Sequence, residues 1–128
     1  MRRAFVPSVA ACAMALVALV TVSSPAFAAE QVVKGEVITI MCYQGHGLKG
    51  TGQAHLACSI SCAKKGYPLG ILTSGGSYYR IDGPLTAHDN VQLQKYLASQ
   101  VEAHGTVARV GGKRIITIAA ASDIIVRK

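Results

Sequence analysis

The chain has 128 residues, with 13 Lys and Arg against 6 Asp and Glu, a formal net charge of +7, 4 Cys and no Trp. That length allows one domain and excludes a multidomain enzyme, and a hydrophobic share of 51% excludes a disordered chain. The totals mix two unlike segments. Arg2 and Arg3 form a positive start, Val9 to Val22 an apolar run, and Ala26-Phe27-Ala28 the small-residue pattern at which a signal peptidase cuts. Residues 1–28 therefore read as a removable signal peptide. The apolar run, about 14 residues, falls short of the ~20 a helix needs to cross a bilayer. Its removal takes away Arg2, Arg3 and Cys12. It leaves 100 of the 128 residues, three cysteines, and a net charge lowered by two from +7 to +5.

The stretch Arg2-Arg3-Ala4-Phe5-Val6 resembles part of a twin-arginine export signal, which implies folding before transport. Either export route leads to a periplasmic or secreted protein with no membrane span in the mature chain. Export argues against a nucleic-acid partner, and the remaining positive charge reads as a solvated surface.

Residues 29–128 form a single domain in this reading. Gln31 to Cys42, rich in Val and Ile and interrupted by Gly35, reads as a long strand with a bend. A loop with Gly45, Gly47, Gly50 and Gly52 follows, then a short helix from Gln53 to Lys65, stopped by Gly66 and Pro68. Leu69 to Thr73 and Ser77 to Asp82 read as a hairpin around Ser74-Gly75-Gly76. Asp89 is placed to cap a helix, with Gln92 as its capping-box partner and Val91, Leu93, Tyr96 and Leu97 as its apolar stripe. Val101 to Val110 and Arg114 to Ala120 read as a second hairpin around Gly111-Gly112, and Ser122 to Arg127 as an extension of the last strand or a separately paired segment.

This order of five strands, with one helix between the third and fourth, resembles the OB-fold, a five-stranded Greek-key barrel. Val33-Lys34-Gly35-Glu36-Val37 and Ala103-His104-Gly105-Thr106-Val107 are similar to the glycine-bent strands of small OB proteins. The resemblance implies a mainly β, OB-like barrel with a Cys-containing helical insertion after the first strand, at residues 43–66.

All the mature cysteines lie in or beside that insertion. His55-Leu56-Ala57-Cys58-Ser59-Ile60-Ser61-Cys62 has the spacing H-x2-C-x3-C, which on a helix puts His55, Cys58 and Cys62 on one side. Cys42, at the end of the first strand, is a fourth candidate. Three thiolates and an imidazole suit a soft transition metal, Cu(I), zinc or an iron–sulfur centre, and not calcium or magnesium. The C-x3-C spacing resembles that of Sco-type copper-delivery proteins and of the dinuclear copper site in cytochrome oxidase subunit two, which implies copper. Beyond Cys62 the chain continues Ala63-Lys64-Lys65-Gly66, without the His and Met of the oxidase pattern. Cu(I) thus stands slightly ahead of zinc.

The competing reading is a disulfide from Cys42 to Cys58 or Cys62, which leaves one odd thiol. Met41, opposite Cys42 on a regular strand, is expected in the core. His46, His88 and His104 read as loop or surface residues. Of Tyr78 and Tyr79, alternation sends one inward, and the pair is a candidate stacking surface. A haem-attachment C-x-x-C-H, a phosphate-binding G-K-[ST] loop, a redox C-x-x-C and a Ser/His/Asp set are all missing, so no enzyme is expected. Two functions lead, ahead of a thiol redox role for Cys58 and Cys62 that a mid-helix Cys58 disfavours. One is an exported soft-metal module for storage or delivery, with Cys42, His55, Cys58 and Cys62 as ligands and a metal donor or acceptor protein of the cell envelope as partner. The other is a non-metal binding module with one disulfide, whose barrel face holds a protein, glycan or lipid.

Overall fold

The computed structural model describes residues 28–128; the signal peptide expected over residues 1–28 lies, apart from Ala28, outside them. β1 runs from Ala29 to Thr39. Its partners change along its length. Residues Ala29 to Glu36 pair antiparallel with β4 (Gln100–Val110), and Glu36 to Thr39 pair antiparallel with β2 (Leu69–Leu72). The change occurs at Gly35 and Glu36. A Cβ on Gly35 would collide with the carbonyl of Leu72, so only glycine lets the two strands approach here. Gly105 does the same for β4 against the Thr117 carbonyl, where β4 passes from β6 (Ile124–Val126) to β5 (Lys113–Thr117).

β2 and β3 (Tyr78–Asp82) form the first expected hairpin, and β4 and β5 the second. The second turn, Gly111-Gly112, has positive φ at both residues (56° and 76°), which a two-residue turn matched to strand twist demands. β3 and β5 pair in parallel, and the β1–β4 pairing closes the sheet into a five-strand barrel in the order β1-β2-β3-β5-β4. The fold is the OB-like barrel that the element order implied. Its interior holds Val33, Val37, Leu69, Ile71, Ile81, Val101, Ala103, Ile116 and Ile118, each at most 5% exposed, the alternating inward set of a small barrel.

Two local expectations are overturned. The first strand ends at Thr39, and Ile40–His46 is a helix, α1. The ladder stops because the next residue of the β2 side is Pro68, which has no N–H; its carbonyl still accepts from the Ile40 N–H at 3.1 Å. Cys42 is therefore a helical residue. Met41, turned outward by the same change, is 41% exposed and no part of the core. The second difference is the expected helix capped by Asp89. His88, Asp89 and Asn90 all take left-handed φ (52°, 57° and 61°), so a continuous right-handed helix cannot start at Asp89. The connection is made of single turns instead, Pro84–Thr86, Ala87–Asn90 and Gln94–Tyr96. Leu93, Tyr96 and Leu97 of the expected stripe, joined by Leu85, bury themselves against the barrel end, whereas Val91 is 55% exposed. The chain gives up helical hydrogen bonds there so that Asn90 can turn inward.

Candidate metal centre

The insertion is built on the end of β1. After α1, a tight turn at Gly47–Gly50 brings the chain back, and a Cβ on Gly50 would strike the Cys42 carbonyl. A second turn, Gln53–His55, leads into α2, Leu56–Lys64. The expected helix from Gln53 to Lys65 is thus two pieces, with His55 at their junction in a non-helical conformation (φ −108°, ψ 5°).

Three hydrogen bonds fix α2 against the barrel. The buried Thr39 hydroxyl donates to the Ser59 carbonyl at 3.2 Å. The Asn90 side-chain amide, itself 4% exposed, donates to the carbonyls of Ala63 and Tyr67, both at 3.1 Å. Asn90 so gives the Ala63 carbonyl a second donor beside the Gly66 N–H and ties the residues just past α2 to the barrel end. On the other side, α1 is docked to β3. Tyr43 stacks edge-on against Tyr78 (6.1 Å between ring centres, 83° between planes), and Gln44 Nε2 donates to the Tyr78 hydroxyl at 2.9 Å. Tyr79 packs on the core. Tyr78 and Tyr79 are thus not a shared stacking platform, because Tyr78 is used to seat α1.

These restraints bring Cys42 from α1 together with Cys58 and Cys62 from α2. Their three sulfurs lie within 4.8 Å of one another, and those of Cys42 and Cys62 are 3.9 Å apart. A metal–sulfur bond of about 2.3 Å puts the ligand sulfurs of one ion about 4 Å apart. All three are free thiols. Cys42 is buried, Cys62 half-buried and Cys58 exposed, so the cluster has a closed floor and an open mouth. The Cys42 thiol is pushed up to about 12 by burial first, then by its hydrogen bond and charge repulsion with Cys62, and to a lesser degree by Cys58. Three thiolates held this close repel one another unless a cation sits among them. The cluster can hold one metal ion.

His55 stands outside this mutually close set of sulfurs. Its ring lies 5.8 Å from that of exposed His46, and its Nε2 is buried without a hydrogen-bond partner. An unpaired buried ring nitrogen is costly, and Nε2 is one of the two ring nitrogens through which histidine ligates metals. Sequence reasoning singled out all the clustered cysteines but not Thr39 and Asn90, which aim them. The only cue for Asn90 was its residue type, since Asn tolerates left-handed φ better than most.

Among the described residues no helix is long and apolar enough to cross a membrane. Comparison with known proteins finds no matching family, no similar curated protein and no similar solved structure.

Proposed function

We propose that the chain is an exported soft-metal-binding module, not an enzyme, which stores Cu(I) or passes it to an envelope protein. One observation carries this reading: three free thiols from two separate elements converge to within 4.8 Å of one another on a rigid barrel. Thiolates favour Cu(I), zinc or iron–sulfur over hard cations. Three sulfurs with one exposed suit Cu(I) best, since zinc in a closed structural site takes four ligands. His55, with its unpartnered Nε2, is the candidate fourth ligand for a tetrahedral ion.

The test is elemental analysis and native mass spectrometry of the protein purified under reducing conditions and offered Cu(I) or Zn(II). About one ion per chain is expected, lost when Cys58 and Cys62 are both changed to Ser. Absence of stoichiometric metal overturns the proposal.

The 3.9 Å gap between Cys42 and Cys62 also favours a second reading. Oxidised, that pair would form a disulfide pinning α2 to α1 and leave Cys58 as the spare thiol, in a module that binds without metal. A thiol count on the native protein separates the two: one free thiol supports the disulfide, three metal-protected thiols the metal.

A further inference from the structure

β1 has an unpaired edge. Val37 donates to the Ser99 carbonyl and accepts from the Ala98 N–H, so odd-numbered residues of β1 turn their backbone groups toward the β4 side. Ile40 donates to the Pro68 carbonyl, so even-numbered residues turn theirs toward β2. β2 stops at Leu72, opposite Glu36. Among the described residues no strand lies on that side of Glu30, Val32 and Lys34. Three successive N–H and C=O pairs therefore face outward from a regular strand, an arrangement that natural proteins usually cover.

The side chains along this edge complement themselves. Glu30, Val32 and Lys34 alternate on the outer face, Val32 is 46% exposed, and Lys34 is 57% exposed. An antiparallel pairing of two copies about a two-fold axis at Val32 puts Val32 beside Val32 and Glu30 beside Lys34 on both sides of the axis. Each of these pairs is a hydrogen-bonded pair, because the backbone groups of all three residues face the edge. The same register leads the chain before Glu30 toward a groove of about 700 Å³ lined by Lys34, Gly35, Glu36, Leu72 and Thr73, where Ala29, the first residue after the expected cleavage site, offers only a small side chain.

We infer that β1 is a dimerisation edge, through which two copies of this chain join their barrels into one continuous sheet with two-fold symmetry. The pairing is isologous and closes on itself, so it yields dimers and not fibres. Glu30 already accepts from the Thr106 hydroxyl at 3.0 Å, and Lys34 is 3.1 Å from Glu102. Both partners are on β4, across β1 from the free edge, and both contacts are on the surface, so pairing of two copies exchanges them for contacts between Glu30 and Lys34. The inference is independent of the metal centre, which lies on α1 and α2.

Sedimentation velocity of the metal-free, reduced protein over a range of concentrations tests it. Association to twice the monomer mass is expected as concentration rises. Val32→Pro removes the central edge N–H, which has no partner in the monomer, and is expected to abolish association while the far-UV circular dichroism of the barrel is retained. Glu30→Lys and Lys34→Glu each turn two attractive pairs into repulsive ones and are expected to weaken association about tenfold. Mixed together, those two variants restore both attractive pairs, and heterodimers should form. A wild-type chain that stays monomeric at every concentration overturns the inference. So does association that survives Val32→Pro, or a mixture that fails to pair.

Discussion

Cys58, Cys62 and Cys42 are graded by exposure, and that gradient sets their chemistry. Reactivity with an alkylating reagent follows access and thiolate fraction. In the reduced, metal-free protein at pH 8, iodoacetamide is expected to label Cys58 first, Cys62 next and Cys42 last by a large margin. Peptide mass spectrometry against time reads the order; early labelling of Cys42 would contradict the buried floor of the site. His55 makes a second prediction at this scale. Its buried Nε2 has no partner, so His55→Ala removes no hydrogen bond made through that atom and should leave the thermal midpoint of the metal-free protein nearly unchanged. If Nε2 ligates the metal, the same variant lowers metal affinity about 10- to 100-fold, the range seen when groups that support a metal are removed. A chelator competition gives the affinity. A fall in stability with unchanged affinity would make His55 a packing residue.

At the scale of elements, the glycines at the two barrel bends and the restraints on α2 do separate work. Gly35→Ala and Gly105→Ala each drive a methyl group into a backbone carbonyl of the neighbouring strand. Overpacking of this kind costs about 1–3 kcal/mol, and each kcal/mol lowers the melting temperature of a 100-residue domain by about 4–8 °C. Both variants should melt lower by thermal circular dichroism, whereas Gly45→Ala, whose Cβ would meet nothing within 4 Å, should change little. Asn90→Ala acts on the site through α2. It removes the side-chain donor to the carbonyls of Tyr67 and of Ala63, which keeps the Gly66 N–H, and puts a non-glycine residue at φ 61°. Metal affinity is expected to fall along with stability, because α2 carries two of the three sulfurs.

For the whole molecule, one carboxylate ties three strands together. Glu102 on β4 lies 3.1 Å from Lys34 on β1 and 3.6 Å from Arg127, just beyond β6. The hydrogen bond from Lys34 above all, with the positive charge of Lys34 and Arg127, holds the Glu102 carboxyl below its usual value of 4.5, against a smaller opposing effect of desolvation. A carboxyl whose pKa is lowered on folding contributes stability above its unfolded pKa and loses it as pH falls through the folded value. Stability should therefore decline below about pH 4.5, and Glu102→Gln should flatten that part of the profile in urea titrations across pH. Glu102 is half-buried but its partners Lys34 and Arg127 are exposed, so the effect is small. Metal bound as proposed above would have the larger influence. A ligand bound only by the folded state adds about 2.7 kcal/mol at a hundredfold excess over its Kd, so loading with Cu(I) is expected to raise the melting temperature, and a chelator to reverse it.

Much of this architecture is local and therefore legible in the chain. Hairpins appear where Gly75-Gly76 and Gly111-Gly112 separate β-branched runs, and the bends of a closed barrel appear as Gly35 and Gly105 within strands, because short-range sterics decide both. The cysteines were legible for the same reason: their residue type limits what they can do, and the H-x2-C-x3-C spacing sits on one short segment. What the sequence could not decide depended on partners far along the chain. Pro68, not any residue of the first strand, ends the β1 ladder and turns Cys42 into a helical residue. Asn90, 27 residues beyond Ala63, reaches back to cap α2, and that contact outweighs the helical pattern around Asp89. The distance between Cys42 and Cys62 is likewise a product of folding. Their separation of 20 residues says nothing about it; the barrel end, Thr39 and Asn90 together bring their sulfurs to 3.9 Å.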